Sequence, residues 1–256
     1  MRGPRVQPRP PACGGEGLGE GAAPRAAHPL PSPSEREFLR SLRTLAGPIV
    51  AVLAFRAACY ALMTAAAVWA ERRPAPGGLP DLVLGALPYV DWVARANYLV
   101  WLALYLPLAL AFLASDPARW IRYMVTGGLV SLARGVTIVL TGLGPPDPAR
   151  AGPGLGGRGA LQAWLELVSP WGVFAHGSAQ AYLTKDLFFS GHAATTFLLL
   201  LYLWRDRRLR WVALAAHVLV VASVLLARIH YAIDVAGAWA VTFALYAARE
   251  WRPRAG

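Results

Sequence analysis

Six apolar runs, near residues 46–70, 96–114, 121–142, 188–204, 211–228 and 231–248, constrain this chain more than any other feature. Each is about the 17 to 25 residues that an α-helix needs to cross a hydrocarbon core of roughly 30 Å at 1.5 Å per residue. Hydrocarbon offers no partner to a bare N–H or C=O, so a single segment crosses only as a helix that satisfies its own backbone. The expected fold is therefore all-α: a polytopic membrane protein whose six helices form one bundle over residues 46–248. Composition agrees, since 56% of the 256 residues are hydrophobic and only 15% are charged, outside the range of ordinary soluble domains.

The charges between the runs give the expected orientation. The net charge is +11, but the arginines sit in the amino-terminal tail and in short inter-run segments, which reads as topology and excludes a nucleic-acid-binding stripe. Arg119 and Arg122, the run Arg205, Arg207, Arg208 and Arg210, and finally Arg249, Arg252 and Arg254 fall on one side of the bundle with the tail. By the positive-inside rule that side is cytoplasmic, together with both termini. Residues 71–95, the long 143–187 connection and the tight turn at 229–230 face outward. Trp69, Trp92, Trp120, Trp171, Trp204, Trp211 and Trp251 lie near run ends, as an interfacial aromatic belt does. A bacterial inner membrane is the expected location.

Outside the runs the chain carries less information. Residues 1–33, rich in Pro, Gly, Ala and Arg, lack the large apolar side chains that offset ordering entropy and read as a disordered cytoplasmic tail with no cleavable signal. Residues 34–45 open with Ser34 and Glu37 at capping-box spacing, then place Phe38, Leu39, Leu42 and Leu45 at helical intervals, the pattern of an interfacial helix. The stretch Ala160 to Val173 is apolar but too short to span and is expected to lie on the outer surface as a lid or interfacial helix. Residues 249–256 form a second cytoplasmic tail. Cys13 and Cys59 fall in a polar tail and an apolar run, so neither a disulfide framework nor a metal pattern is present.

Three groups of polar residues interrupt this apolar background. In Lys185-Asp186-Leu187-Phe188-Phe189-Ser190-Gly191-His192, the last three residues open the fourth run at the outer face. A helix amino terminus presents unpaired N–H groups and partial positive charge, which suit a phosphate. The blander reading is an N-cap serine beside an interfacial histidine.

The second group, Arg228-Ile229-His230-Tyr231-Ala232-Ile233-Asp234, opens the last run at the same face, with His230 and Asp234 four residues apart and stacked on one side. An aspartate inside an apolar run costs about 2.5 to 3.5 kcal/mol by insertion scales, so it needs a partner. A carboxylate there fixes the imidazole tautomer and stabilises its cation, which makes the histidine an effective nucleophile. The alternative is a polar pair that only holds helix ends together.

The third group is Arg134, Thr137 and Thr141, which step by three and four along the third run toward the outer face. The planar fork of an intramembrane arginine suits phosphate oxygens, although the same residue can serve packing by binding a helix carbonyl or Asp234.

Taken in order, R-x-x-T-x-x-x-T-x-L-x-x-P, D-x-x-x-S-G-H and H-Y-x-x-D resemble the sphingomyelin-synthase-like branch of the type 2 phosphatidic acid phosphatase (PAP2) superfamily, over about residues 120–248. The resemblance implies a PAP2-like six-helix membrane domain in which His230 attacks phosphorus, Asp234 supports it, and His192 moves the leaving-group or acceptor proton. Arg134 and Thr137, with Ser190, Gly191 and Arg228, would bind the substrate phosphate. The lipid phosphatases of the superfamily carry K-x6-R-P, a proline before S-G-H and an arginine six residues before the last histidine. Here Gly135, Phe189 and Val224 stand at the matching places, which weakens the hydrolase reading.

The expected function is thus transfer of a phospholipid headgroup to a hydroxyl-bearing lipid acceptor through a phosphohistidine. No metal or other cofactor is expected, because the arginine and helix terminus supply the positive field. A lipid phosphate phosphatase is the alternative enzyme. A non-catalytic transporter or structural membrane protein is the alternative of another class, but the polar residues cluster at one face and trace no route across the bilayer. His217 is expected to be a packed, hydrogen-bonded histidine, His176, Glu166 and Asp186 to be solvated in the outer connection, and Arg56 to pair within the bundle or snorkel.

The arginine asymmetry makes a direct prediction. In a background freed of Cys13 and Cys59, single cysteines at Gly156 and Arg207 label from opposite sides of the membrane with an impermeant reagent. Labelling of both from outside would overturn the orientation.

Overall fold

The computed structural model describes residues 33–74, 77–152, 154–169 and 183–250, with side chains from residue 44 onward. The expected disorder of the tail, His176, Trp171, the end of the 160–173 stretch and residues 251–256 lie outside the described residues. The chain divides into two units, Met1–Leu39 and Arg40–Gly256. Of the first, only the backbone from Pro33, where helix α1 begins, is described.

Among the described residues the structure is all-helical. Long helices are α1 (Pro33–Glu71), α3 (Asp91–Ser115) and α4 (Pro117–Thr141), with the short α2 (Leu82–Ala86) between the first two. After α4 come a single 3-10 turn, Pro148–Arg150, and α5 (Ala160–Val168), then α6 (Gly191–Leu203), α7 (Leu209–Leu226) and α8 (Ala232–Glu250). The boundaries have local causes. Asp116 accepts from Arg119 N at 2.9 Å and Pro117 occupies the first turn of α4, where a missing N–H costs nothing. The same helix stops at Gly142, which adopts the left-handed φ of 57°.

Among the described residues, four segments are long and apolar enough to cross a membrane: Thr44–Glu71, Asp91–Ser115, Pro117–Thr141 and Leu209–Leu226. The protein is an integral membrane protein of the expected all-α class. Of the six expected crossings, the fourth and the last are not among these four. The fourth apolar run is not helical throughout: α6 begins only at Gly191 and has 13 residues, a rise of about 20 Å. The last run forms the 19-residue α8, which carries Asp234, Arg249 and Glu250. The two helices that fall short are those whose first turns carry the polar motifs.

α6 sits among α4, α7 and α8, which it touches along its length. The shared core contains Phe112, Tyr123, Phe189, Leu198, Leu199, Tyr202 and Val224. Buried Ala193, Ala194, Ala213, Ala216 and Ala238 let the helix axes approach closely, as small residues do in membrane bundles. Glycines do the same between α1 and α4. A Cβ on Gly128 would lie 2.5 Å from the Phe55 ring, and one on Gly127 would overlap the Arg56 guanidinium. Arg56 is therefore turned inward against α4, with Nη1 buried and without a hydrogen-bond partner among the described residues. Trp164 of α5 donates to the Ala61 carbonyl at 2.8 Å, so this short helix lies against α1.

Candidate active site

The S-G-H turn is fastened from two helices. At the end of α1, the Glu71 carboxylate accepts from Thr184 N and Lys185 N, both at 2.9 Å. Lys185 Nζ returns to α1 and donates to the Glu71 and Arg73 carbonyls, oxygens that a helix end leaves without partners. From α4, Arg134 pairs with the Asp186 carboxylate and donates to the Asp186 carbonyl at 2.8 Å and the Phe189 carbonyl at 2.7 Å. Thr137 donates to the Phe188 carbonyl at 2.9 Å, and Thr141 hydrogen-bonds back to the Thr137 carbonyl.

Residues 184–189 are thereby held so that Ser190 becomes the N-cap of α6, its side chain accepting from Ala193 N. A Cβ at Gly191 would stand 3.2 Å from Arg134 Nε, so glycine lets the turn lie directly on the guanidinium. His192 follows in the first helical turn, its ring meeting the Trp101 ring edge-on at 5.5 Å between centroids.

The second half of the site is the start of α8. Asp234 is wholly buried, and its Oδ2 accepts from Tyr231 N at 2.9 Å while facing His230 Nδ1 at 3.3 Å. The backbone of the same residue ties the halves together, because Ser190 N donates to the Asp234 carbonyl at 3.1 Å. His192 and His230 consequently face one another with ring centroids 6.4 Å apart and planes at 64°.

Sequence reasoning brought together His192, His230, Asp234, Ser190, Gly191, Arg134 and Thr137, and the structure places all seven around one turn. Arg134 is already engaged by Asp186, Phe189 and the Met63 sulfur. Arg228, with a left-handed φ of 51°, reaches away to the Leu84 and Leu87 carbonyls and lies 3.9 Å from Asp147. Asp186, expected to be solvated, is the ion partner of Arg134. His217 is packed as expected, with Nδ1 against Thr196 at 2.8 Å and Nε2 accepting from Trp239 at 2.9 Å.

Residues missed in the sequence hold the site from outside. Asp81 caps α2 through Oδ1 and, through Oδ2, accepts from Ala232 N at 2.7 Å, so one carboxylate serves two helix amino termini. The Tyr231 hydroxyl donates to the Gly144 carbonyl and accepts from Leu79 N, both at 3.0 Å. Asp81 before an apolar tetrad had a legible capping signal for α2, whereas its reach to residue 232 had none. Among the described residues no cluster of metal-ligating side chains is present.

With this geometry, one comparison is decisive. Residues 185–251 match the family model described as PAP2 superfamily C-terminal. This part of the chain is similar to the C-terminal part of PAP2-superfamily proteins. The match runs from Lys185 through S-G-H and H-Y-x-x-D to the end of α8 and does not extend to Arg134 and Thr137. It supports membership of the superfamily and, with it, a lipid phosphatase or phosphotransferase class of activity. No curated protein matches the chain.

The tether at Ala232 is testable. Asp81→Ala lowers kcat by up to about a hundredfold, the scale of a small misplacement of a reacting group, with KM little changed, because it releases the first turn of α8. His217→Ala, which alters packing between α6, α7 and α8, retains activity. Steady-state kinetics of headgroup release from a phospholipid donor check both, and unchanged kcat in Asp81→Ala would show that the tether is dispensable.

Proposed function

We propose that the protein transfers a phosphoryl headgroup from a phospholipid donor to a hydroxyl-bearing lipid, in the manner of the sphingomyelin-synthase-like branch of the PAP2 superfamily. The observation that carries this reading is the opposed pair His192 and His230, 6.4 Å apart, with the Asp234 carboxylate against Nδ1 of the latter. Two contacts of about 3 to 3.5 Å on either side of a reacting centre span that order of distance. With Nδ1–H directed to Asp234, His230 presents Nε2 as the nucleophile.

In the first step His230 Nε2 attacks phosphorus, the bond from phosphorus to the donor lipid oxygen breaks, and His192 gives that oxygen its proton. In the second, His192 takes the proton of the acceptor hydroxyl while its oxygen displaces the histidine. Asp234 stabilises the imidazolium form of His230 throughout. Ser190 and Gly191 offer the amino terminus of α6 to the phosphate, and Arg134, lying directly beneath Gly191, adds positive field with Thr137 beside it. Arg228 stands at the rim, near Asp147, where an incoming headgroup passes. The active side is extracytoplasmic in the orientation argued from the arginines.

His192→Ala, His230→Ala and Asp234→Asn each reduce turnover by about 10²- to 10⁴-fold or more, the scale of general acid–base groups, while the proteins still insert and purify. Normal turnover in His230→Ala would end the nucleophile assignment.

Product analysis decides the fate of the group. With a headgroup-labelled phospholipid and diacylglycerol or ceramide as acceptor, mass spectrometry finds the label in a new lipid, and only slowly as free phospho-headgroup. Soluble phosphate or phospho-headgroup as the sole product with every acceptor would replace the transferase reading with the phosphatase one.

A further inference from the structure

Beside Arg134, α1 and α4 do not close on one another completely. Gly135 brings the two backbones together, since a Cβ there would lie 3.2 Å from the Met63 Cα. Above this contact the helices leave a groove of about 320 Å³, walled by Leu62 and Ala66 of α1 and by Val136, Val139 and Leu140 of α4, almost without polar surface. Its volume is at the lower end of the range for ligand sites, about 300 to 1,000 Å³. Val136 and Leu140 are 58% and 75% exposed. Both walls belong to segments long and apolar enough to span, so what meets the groove is hydrocarbon.

The groove has a charged mouth. At the end toward Thr141, Arg73 donates through Nη1 to the carbonyl of Val139, a wall residue, at 2.5 Å. Its guanidinium lies 4.9 Å from the centre of the half-exposed Trp69 ring, and among the described residues it forms no ion pair. Thr141 is exposed at the same end. An apolar trough within the membrane that ends on an uncompensated guanidinium, a hydroxyl and an interfacial tryptophan is complementary to one kind of molecule: an acyl chain ending in an anionic phosphate.

We infer that the groove between α1 and α4 is a binding site for an anionic phospholipid, with one acyl chain lying over Gly135 and the phosphate on Arg73. The site is separate from the histidine pair, because Gly135 and Arg134 are consecutive and a helix turns about 100° between them. It touches the site only from behind: Met63, at the floor of the groove, accepts from Arg134 Nη1 at 3.0 Å. A lipid seated there braces the face of α4 whose other side carries the S-G-H turn.

The full chain, reconstituted in phosphatidylcholine vesicles doped with phosphatidylglycerol bearing a diazirine in one acyl chain, tests the inference. After photolysis, peptide mass spectrometry compares labelling of α4 near Val136 and Leu140 with labelling of the exposed α3 residues Leu99 and Leu110. Label is expected to concentrate on α4, to be displaced by unlabelled phosphatidylglycerol but not by diacylglycerol, and to fall about fivefold in Arg73→Gln, as loss of one arginine near an anionic surface predicts. Val136→Trp, which fills the groove from an exposed position, removes it even if Arg73→Gln fails to fold. Equal labelling of α3 and α4, or labelling indifferent to headgroup and to both substitutions, would mean annular lipid only and overturns the site. A cross-link from the groove to a second copy of the chain overturns it as well. The same labelling persists in His230→Ala, so failure of the catalytic proposal leaves this result standing.

Discussion

A carboxylate with no exposure to solvent, Asp234, is the group on which the geometry of the candidate site depends. One oxygen holds Tyr231 N and faces His230 Nδ1, and the carbonyl of the same residue receives Ser190 N. Side chain and backbone of a single residue thus set the start of α8 and pin the start of α6 beside it. A carboxylate in an apolar bundle is tolerated where donors meet it. Here both, Tyr231 N and His230 Nδ1, come from the start of α8 and meet Oδ2, while Oδ1 is buried without a hydrogen-bond partner among the described residues. It is the backbone carbonyl that reaches the segment before α6. A neutral asparagine could keep one of these contacts and lose the charge that stabilises an imidazolium. Position and electrostatics are therefore separable at this residue, which is unusual for a buried acid.

The remaining polar contacts keep that arrangement rigid. Glu71, Lys185, Arg134 and Thr137 fix the approach to Ser190 from α1 and α4, and Asp81 and Tyr231 fix the start of α8 from the 77–90 and 144 segments. Most of these bonds end on backbone carbonyls and N–H groups of irregular chain. Irregular backbone at membrane depth is stable only when protein satisfies it. The motif residues of the turn and the charges of the loops are in this sense one structure.

Much of this was legible in the sequence because it depends on short-range spacing. His230 and Asp234 at four residues, Ser190 before an apolar run, and Arg134 with Thr137 on one helical face each follow from helix geometry, and all are found where that geometry puts them. What was not legible depends on contacts far apart in the chain. Nothing local to Asp81 announces Ala232, nothing near Glu71 announces Thr184, and Asp186 reads as a loop acid until α4 supplies its arginine. The start of the fourth helix is blurred in the sequence for a related reason: apolar composition continues through Phe188 and Phe189, but the helix begins only after Ser190 caps it. Hydropathy counted those residues as helix where hydrogen bonding to Arg134 and Thr137 holds them as an irregular approach.

That late start sets the depth at which chemistry takes place. Gly191 lies against Arg134, seven residues before the last residue of α4, Thr141, and His192 meets Trp101, ten residues inside the first residue of α3, Asp91. At 1.5 Å per residue the histidines lie about 10 to 15 Å below the helix ends around them. The proposed reaction centre thus lies below the level of those helix ends. A phosphate resting at the ordinary headgroup level would have to sink toward it, or the bilayer would have to thin at the rim. Local thinning costs only fractions of a kcal/mol per Å, so membrane thickness becomes a control on how readily a lipid reaches the histidines, independent of any residue that binds it.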